Sequence, residues 1–351
     1  MYPTLSPEKR ARLLDGLVIP AHPLLLTEGR ALDERRQRAL ARYYLAAGAG
    51  GLAVGVHTTQ FALHDDPEMY ARVLTIAKEV VARERPEALL IAGVSGSLAQ
   101  AVREAELARR LGYDLALVIP NGVPNCDPER HLMRLKAVGE VIPLFGFYLQ
   151  PAVGGCSFGF DYWREVAAIP NVYAIKVAAF NRYFTLDVVR AVGLSERYRE
   201  IALYTGNDDN IIVDLLTPYP VKRETETVVL HFVGGLLGQW AVWTKTAVRM
   251  LDKIKKARSS GQIPLGWLKR NAELTEINGA LFDVHHAFRG SIAGIHEALR
   301  RDGLADGLWF LDPEEGLSPG QAEAIERIYL TYPEWRDDAF IRDHLKRWLD
   351  D

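Results

Sequence analysis

Residues 88–120 read ALLIAGVSGSLAQAVREAELARRLGYDLALVIP and contain two apolar runs with a mixed segment between them. The runs are Ala88–Val94 and Leu115–Pro120, and continuous apolar runs of this length are typical of strands buried on both faces. Between them, Ala99–Leu111 has apolar residues at helical spacing and ends at Gly112, a natural helix stop. The stretch therefore predicts a strand, a helix and a second strand of a parallel sheet.

The same unit recurs along the first two thirds of the chain. Apolar runs begin about every 30 residues, and we count eight of them. They are Leu17–Ala21, Gly51–Val56, Ala88–Val94, Leu115–Pro120, Ile142–Leu149, Val172–Val177, Ile201–Gly206 and Gly234–Val242. Eight strand–helix units at this spacing predict a (β/α)8 TIM barrel of about 250 residues. A doubly wound sheet is the rival architecture, but the turn after the first run lacks a Gly-x-Gly-x-x-Gly motif.

The chain after the eighth run has a different character. From Thr244 onward the strand patterns stop, and segments with helical periodicity follow, among them KTAVRMLDKIKKARSSGQ. We therefore predict a barrel domain at residues 1–243 and a C-terminal helical region at residues 244–351.

Composition and charge argue against several classes of function. The chain is 48% apolar and 25% charged, with a formal net charge of −3, so a nucleic-acid partner is not expected. Cys126 and Cys156 are too few for a disulfide framework and lack metal-ligand spacing. Residues 1–10 have no apolar core of a secretory signal, and no apolar run reaches the roughly 18 residues of a membrane span. We expect a reduced, cytoplasmic protein.

Lys176 is the first candidate for chemistry, because it interrupts the apolar run NVYAIKVAAF at residues 171–180. Strand residues alternate in direction, so Ala174 and Ala178 share its face and leave room for a long side chain. Burial disfavours the ammonium form, and the free amine can condense with a ketone to give an imine. The alternative is a structural lysine that reaches the barrel rim or pairs with a carboxylate.

Other candidates follow other predicted strands, where the active sites of such barrels lie. Tyr148 could exchange protons with a neighbouring lysine, or it could be a core aromatic. Thr58 and Thr59 could hold a carboxylate through their hydroxyl and N–H groups, or could begin a helix. Gly206 permits close approach of the backbone to a ligand. The acidic residues after it could simply cap the next helix.

Histidines give a weaker signal. His22 and His57 follow the first two runs, but they lack the companion ligands of a metal site. We therefore do not predict a metal. His57 is an outside candidate for an additional acid–base group, because an imidazole can titrate near neutral pH.

Five segments, in matching order, resemble the dihydrodipicolinate synthase / N-acetylneuraminate lyase family of class I aldolases. They are GLVIPAHPLLLTEGRALDERRQRAL, AGVSGSLAQAVREAELARRLGYDLALVIP, GFYLQPAVGG, NVYAIKVAAF and YTGND. The third looks like the family's tyrosine motif, the fourth like the motif around its imine-forming lysine, and the fifth like its "sGdD" turn. The spacing of 28 between Tyr148 and Lys176 is also that of the family.

The resemblance implies roles for individual residues. Lys176 would form the imine with a 2-oxo acid, Tyr148 would relay protons, and Thr58 and Thr59 occupy the place of the family's carboxylate-binding loop. It further implies a homo-oligomer, a dimer or a tetramer, that needs no cofactor. Three departures are evident: the loop reads GVHTTQ, Asn121 and Gly122 stand where the synthases carry a tyrosine pair after the fourth strand, and Val153 stands where they carry an arginine. These changes disfavour lysine-pathway synthase activity and suit an apolar or uncharged aldehyde.

We therefore predict a Schiff-base lyase or aldolase that acts on a 2-oxo acid and an aldehyde. The predicted catalytic residues are Lys176 and Tyr148, and the predicted substrate-binding residues are Thr58, Thr59, His57, Gly206 and Val153. Three alternatives stay open: a sugar-acid dehydratase that uses the same imine, a barrel that binds a ligand without catalysis, and a metal-dependent hydrolase through His22 and His57.

Overall fold

The computed structural model of the protein describes residues 2–350, which contain ten strands and thirteen α-helices. The strands are β1 Val18–Pro20, β2 Gly51–Val54, β3 Leu89–Val94, β4 Leu115–Val118, β5 Leu144–Leu149, β6 Val172–Ala178, β7 Ala202–Thr205, β8 Tyr219–Lys222, β9 Thr227–Leu230 and β10 Phe232–Leu237. The helices are α1 Pro7–Asp15, α2 Glu34–Ala47, α3 Pro67–Glu84, α4 Leu98–Leu111, α5 Pro128–Gly139, α6 Phe160–Ala168, α7 Arg182–Leu194, α8 Ile211–Leu216, α9 Thr244–Ser260, α10 Gly266–Leu281, α11 Ser291–Arg301, α12 Gln321–Thr331 and α13 Asp338–Asp350.

Eight of the described strands form one parallel sheet. Their order is β1-β10-β7-β6-β5-β4-β3-β2, and helices connect most successive strands. The fold is therefore a (β/α)8 TIM barrel, as predicted. The described elements after β10 are helical, so the C-terminal helices are confirmed as well. Within residues 2–350, none of the helices combines the length and apolar character that a membrane crossing requires.

The opening stretch folds as its sequence predicts. The side chain of Ser97 accepts a hydrogen bond from the N–H of Gln100 and so caps the start of α4. Gly112 ends the helix in the left-handed conformation, with φ of 80°, which glycine adopts without steric cost. The flanking strands β3 and β4 pair in parallel.

Two features differ from the sequence pattern. The eighth barrel strand is Phe232–Leu237, so it begins before the predicted run and ends before the short 3-10 turn Gln239–Ala241. An antiparallel hairpin, formed by β8 and β9, also lies between α8 and the last barrel strand. Its strands have only four residues each and are partly exposed, so they lack a long apolar run.

The described chain divides into two compact units. One contains the chain up to Leu17 and Ile91–Leu236, and the other contains Val18–Leu90 and the chain from Leu237 onward. Strands β4 to β7 belong to the first unit, and β1 and β2 belong to the second. A domain boundary at residue 243 stays a prediction.

Candidate active site

The register between β5 and β6 decides which side chains lie beside Lys176. An irregularity between Leu144 and Phe145 shifts the pairing of the two strands by one residue. Beyond that point Phe147 pairs with Lys176, and Tyr148 pairs with the residue that follows the lysine. Paired residues of parallel strands point to the same face, and successive residues point to opposite faces. Phe147 therefore shares the face of Lys176, and Tyr148 does not.

We call the side of β5 and β6 that carries Phe147 and Lys176 the inner face. The opposite side, the outer face, carries Tyr148 and packs against α6 and α7. Gly146 confirms this assignment, because a Cβ atom on it would lie 3.6 Å from the Val166 side chain of α6.

Lys176 lies in a tight apolar setting on the inner face. Its side chain is only 6% exposed, and its Nζ atom is 4.5 Å from the centre of the Phe147 ring. Gly206, in the turn after β7, lies directly against it. A Cβ atom at Gly206 would come within 2.7 Å of the Lys176 Cε atom and 2.9 Å of the Ala178 Cβ atom. Only glycine therefore leaves space for the lysine at this point.

Burial changes the chemistry of this amine. It lowers the pKa of Lys176 from 10.5 to about 8, and the negative charge of Asp208 partly opposes that shift. With such a pKa, about a tenth of the amine is unprotonated at pH 7, whereas an exposed lysine would have well under a hundredth. The unprotonated amine is the form that attacks a carbonyl carbon. Lys176 is thus a buried amine that is partly uncharged at neutral pH.

Tyr148 is part of an aromatic cluster on the outer face. Its ring stacks on Trp163 of α6 at 5.4 Å and on Phe184 of α7 at 6.2 Å between ring centres. Burial raises the pKa of the Tyr148 hydroxyl to about 12. Ser157 approaches closely enough to oppose that shift, but the geometry falls short of a hydrogen bond. The expectation that the Tyr148 phenol lies beside Lys176 is therefore wrong, because the one-residue shift in register turns the ring to the other face.

A buried carboxylate holds the turn that follows β7. Asp214 of α8 is fully buried and forms an ion pair with Arg182. Its Oδ2 atom accepts hydrogen bonds from the Thr205 hydroxyl at 2.7 Å and from the Asn207 side-chain amide at 2.8 Å. Buried charges are stable only when they are paired and hydrogen-bonded in this way. The network therefore fixes the backbone of the turn that contains Gly206.

Val153 lies in the loop after β5, at the end of the short 3-10 turn Pro151–Val153, and is half-buried. The loop then closes tightly, with a 3.0 Å hydrogen bond from the N–H of Gly155 to the carbonyl of Gln150. A Cβ atom at Gly155 would lie 1.9 Å from the carbonyl oxygen of Leu149, so this position requires glycine.

A disulfide joins this loop to the loop after β4. Cys126 and Cys156 are bonded, with their Cα atoms 5.6 Å apart and with a separation of 30 positions in sequence. The sequence analysis predicted a reduced protein in which two cysteines are too few for a disulfide framework, and the Cys126–Cys156 bond differs from the prediction of reduced cysteines. The single crosslink between neighbouring loops is a finding of the structure.

The second compact unit contains the loop with His57, Thr58 and Thr59, which follows β2. The Thr58 hydroxyl donates to the carbonyl of Ala21, and the Thr59 hydroxyl donates to that of His22, both at 2.7 Å. The Thr59 oxygen also accepts hydrogen bonds from two backbone N–H groups. Both hydroxyl protons are thus used within the protein. Carboxylate binding by this loop stays a prediction.

His22 and His57 show no sign of a shared metal. The His22 Nδ1 atom lies 2.9 Å from the carbonyl of Pro23, and burial lowers the pKa of the imidazole to about 4. The His57 ring packs edge-on against Phe61. In the part of the chain that the structure describes, no group of three or more His, Cys, Asp or Glu side chains could hold a metal ion.

Sequence reasoning missed Phe147, which lies beside Lys176, and the hydrogen-bond network of Asp214 that holds the turn after β7. Phe147 is one residue from the tyrosine that the motif indicates, and only the register separates the two. Asp208 carries the charge that acts on Lys176, although the sequence suggested it only as a helix cap. The residue before α8 is in fact Asn210, so neither Asp208 nor Asp209 is the N-cap of that helix.

Comparisons with known proteins give one family-model match and several relatives. A sequence model of the Dihydrodipicolinate synthetase family matches residues 17–223, more than half of the chain. "N-acetylneuraminate lyase 2" of Escherichia coli O6:H1 is 28% identical over 196 residues, which are 55% of this chain and 61% of that protein. "Probable 5-dehydro-4-deoxyglucarate dehydratase 2" of Streptomyces avermitilis is 30% identical over 148 residues, 42% of each chain. The chain thus matches less than two thirds of the length of these two relatives.

The fold also matches solved structures. The dihydrodipicolinate synthase from Oceanobacillus iheyensis superimposes with a TM-score of 0.73 at 15% identity, and the match covers 93% of this chain and 99% of that one. At this identity the likeness supports the fold alone.

Proposed function

The chain belongs to the dihydrodipicolinate synthetase family, and we propose that it is a lyase or aldolase that forms an imine between Lys176 and a 2-oxo acid. The observation that carries this proposal is the state of the lysine. Lys176 is buried on the inner face, its pKa is lowered to about 8, and Gly206 leaves space beside its terminal carbons. These are the conditions under which a lysine amine acts as a nucleophile.

The reaction follows from the chemistry of the imine. The amine adds to the ketone carbon, and water leaves to give a positively charged iminium group. That group withdraws electrons from the neighbouring carbon, so a carbon–carbon bond to it can be broken or made through an enamine. Hydrolysis of the imine then releases the product and restores Lys176. The neutral amine and the ketone take up one proton as they become the iminium ion and water, and loss of a proton or a carbon fragment from the neighbouring carbon then gives the enamine.

The substrate assignments are proposals from the sequence. Thr58, Thr59 and His57 are proposed to hold the carboxylate of the 2-oxo acid, and Val153 to contact an apolar or uncharged aldehyde portion. Because the two threonine hydroxyls donate to backbone carbonyls, carboxylate binding would require them to exchange partners or would use N–H groups of the loop. A homo-oligomeric state and a cytoplasmic location also stay predictions.

Trapping of the imine tests the proposal directly. The protein is incubated with a panel of 2-oxo acids, reduced with borohydride and mapped by mass spectrometry. We expect one adduct, on the peptide that contains Lys176, with the mass of the acid less one oxygen atom. The Lys176→Arg variant should keep the fold and lose the adduct entirely, because a guanidinium group stays charged and does not condense.

The exposed Lys222 provides a matched control. Its replacement by arginine should leave the adduct unchanged. If no acid of the panel labels the wild-type protein, or if the label persists in Lys176→Arg, the proposal is wrong.

A dehydratase of sugar acids is the second candidate, and the resemblance to the Streptomyces avermitilis relative favours it. It would use the same imine but expel a hydroxyl group instead of breaking a carbon–carbon bond. Product analysis separates the two reactions, since a dehydratase product keeps every carbon atom of the substrate. An adduct on Lys176 without any turnover of aldol or sugar-acid substrates would instead identify a barrel that binds a ligand without catalysis.

A further inference from the structure

Gln60 directly follows the loop that is proposed to hold the carboxylate of the 2-oxo acid, and its backbone is strained. Its φ is 68° and its ψ is 122°. A positive φ is uncommon for a residue with a Cβ atom, and this ψ lies outside the left-handed region, where ψ is about 30–60°. Such a conformation costs free energy and persists only where surrounding contacts hold it. The neighbours of Gln60 must therefore keep it in place.

The contact that holds Gln60 comes from a segment 251 positions along the chain. The Oε1 atom of Gln60 accepts a 2.7 Å hydrogen bond from the N–H of Leu311. The preceding residue, Phe310, is buried and packs on the ring of His296 in α11, with 4.9 Å between ring centres. Helix α11 also packs against the turn His57–Thr59. Leu311 is therefore anchored to the helix that supports this turn, and the hydrogen bond ties Gln60 to the same support.

The Gln60 side chain lowers stability in a second way. The residue is 5% exposed, and its Nε2 atom has no hydrogen-bond partner among residues 2–350. A buried donor without a partner costs free energy, in addition to the cost of the strained backbone. Departures of this kind from the local rules of folding are expected at functional sites. Stability alone therefore does not explain this residue.

The turn before Gln60 contains a donor that suits a carboxylate. Thr58 is buried, and its hydroxyl is used by the carbonyl of Ala21. Its backbone N–H has no hydrogen-bond partner within residues 2–350, and buried N–H groups without a partner are rare in proteins. The N–H of Gln60 donates to the carbonyl of His57 at 2.9 Å and so closes the turn. A change in the backbone of Gln60 would therefore alter the turn that presents the Thr58 N–H.

We infer that Gln60 is a positioning residue for the substrate carboxylate, and that its hydrogen bond with Leu311 keeps the turn His57–Thr59 in the form that binds the 2-oxo acid. This inference rests on the proposed function. Gln60 acts through the turn and is not a catalytic residue. Loss of the hydrogen bond should weaken binding of the acid but leave the reaction of bound acid with Lys176 unchanged, because the amine is not altered. The C-terminal segment around Leu311 is thus a determinant of substrate affinity.

Two substitutions break the hydrogen bond from opposite sides. Gln60→Met keeps most of the side-chain volume and removes the acceptor, and Leu311→Pro removes the donor N–H. Borohydride trapping with increasing pyruvate, or with whichever acid of the panel labels Lys176, gives the half-saturating concentration and the limiting rate. We expect each variant to raise the half-saturating concentration by about 10- to 100-fold, with an unchanged limiting rate. The double variant should bind no more weakly than the single variants, because all three lack the same contact.

Acetone separates a positioning role from general damage, because it has the ketone of pyruvate and lacks the carboxylate. Its rate of trapping should be the same in the wild type and in both single variants. Gln321→Met is the matched control, since the Oε1 atom of Gln321 also accepts a hydrogen bond from a backbone N–H, that of Ser318, at 3.0 Å. This variant should keep the half-saturating pyruvate concentration of the wild type.

Each result has a separate meaning. A half-saturating concentration of Gln60→Met that equals the wild-type value, or an equal loss with pyruvate and acetone, overturns the role of Gln60 and leaves the imine proposal intact. The same holds if the effects of the two substitutions multiply in the double variant, since they then act on different contacts. If thermal unfolding shows that one single variant does not fold, the pyruvate and acetone values of the other decide alone. A wild-type protein that forms no adduct with any 2-oxo acid overturns both the inference and the proposed function.

Discussion

The inner and outer faces of β5 and β6 differ in what their side chains contribute. The inner face carries Lys176 in a gap that a glycine keeps open, with its ammonium form disfavoured by burial. The outer face carries Tyr148 in a stack with Trp163 and Phe184. The two faces alternate residue by residue along the same strands. A single strand pair therefore carries a buried, partly uncharged amine on one side and an aromatic cluster on the other.

The side chains of the two faces have opposite effects on the stability of the fold. Large aromatic side chains that are removed from water stabilise the fold, and Trp163 also donates a 3.2 Å hydrogen bond to the carbonyl of Phe158. A lysine that is buried as an ammonium ion costs free energy, since its pKa falls when it leaves water. Substitutions on the outer face should therefore lower stability and spare chemistry, and apolar substitutions of the lysine should abolish chemistry without lowering stability.

The largest effect on stability should come from the outer face. Trp163→Ala removes a side chain that is 1% exposed, and we expect the free energy of unfolding to fall by about 3–5 kcal/mol. Denaturant unfolding measures this loss. The rate of imine trapping at 25 °C, in the absence of denaturant, should stay within about threefold of the wild type, because Trp163 lies on the opposite side of the sheet from Lys176.

Tyr183 is a matched control for this substitution, since it lies on α7 but is 81% exposed. Its replacement by alanine should change stability by no more than about 0.5 kcal/mol. If Trp163→Ala slows trapping as much as it destabilises the protein, the separation of the two faces is wrong.

The next largest effect should be a gain of stability on the inner face. Lys176→Met keeps most of the side-chain volume and removes the buried charge, so we expect the variant to unfold at higher denaturant concentration at pH 7. Burial lowers the folded-state pKa of Lys176 from 10.5 to about 8. The unfolded chain therefore binds more protons between these pH values, and the wild type gains stability as the pH rises through them.

The advantage of Lys176→Met should accordingly shrink by an amount on the order of 3 kcal/mol between pH 8 and pH 10.5. The loss of a positive neighbour for Asp208 reduces the gain at pH 7 but does not remove this dependence on pH. Urea unfolding over the range measures it, with Lys222→Met as the control at an exposed lysine. Parallel stability profiles for Lys176→Met and the wild type would show that the lysine is not desolvated.

The fold follows from the sequence because its signals are local. The apolar run of β3, the serine cap of α4 and the stop at Gly112 each act within a few residues, and together they define the repeating unit. Eight such units close a barrel whatever their exact ends. The hairpin β8–β9 was missed because its strands are short and half-exposed, which leaves no apolar run to detect.

Only part of the site is determined by residues that are close together in sequence. Lys176 is evident from its own strand, since a charged residue in a buried run is rare. The residue beside it depends on another strand. The spacing of 28 would place Tyr148 opposite Lys176 only if the two strands paired without interruption. After the irregularity that follows Leu144, paired residues differ by 29 in number instead of 28, so Phe147 lies opposite Lys176. A slip of one residue exchanges every side chain between the faces, and the sequence does not mark it.

Contacts between distant segments are the remaining part that the sequence could not supply. The Cys126–Cys156 bond joins two loops, and the ion pair between Arg182 and Asp214 joins residues 32 positions apart. Neither pairing has a periodic or motif signal, because each depends on how separate units of the barrel pack. The Arg182–Asp214 pair helps to hold the turn that contains Gly206, so the surroundings of Lys176 were less predictable than Lys176 itself.

Tyr148→Phe should have the smallest effect, and it tests the difference between the inner and outer faces most directly. Tyr148→Phe removes only a hydroxyl group that is buried and has no hydrogen-bond partner among residues 2–350. Its loss should change the free energy of unfolding by less than about 1 kcal/mol, because no hydrogen bond is broken and the aromatic stack is kept. On the outer face the phenol cannot exchange protons with Lys176, so we expect the rate of imine trapping to stay within about threefold of the wild type from pH 6 to pH 10. A proton relay would instead lose about 10²- to 10⁴-fold. A loss of that size would mean that Tyr148 reaches the inner face during the reaction, and the assignment of the two faces would then fail.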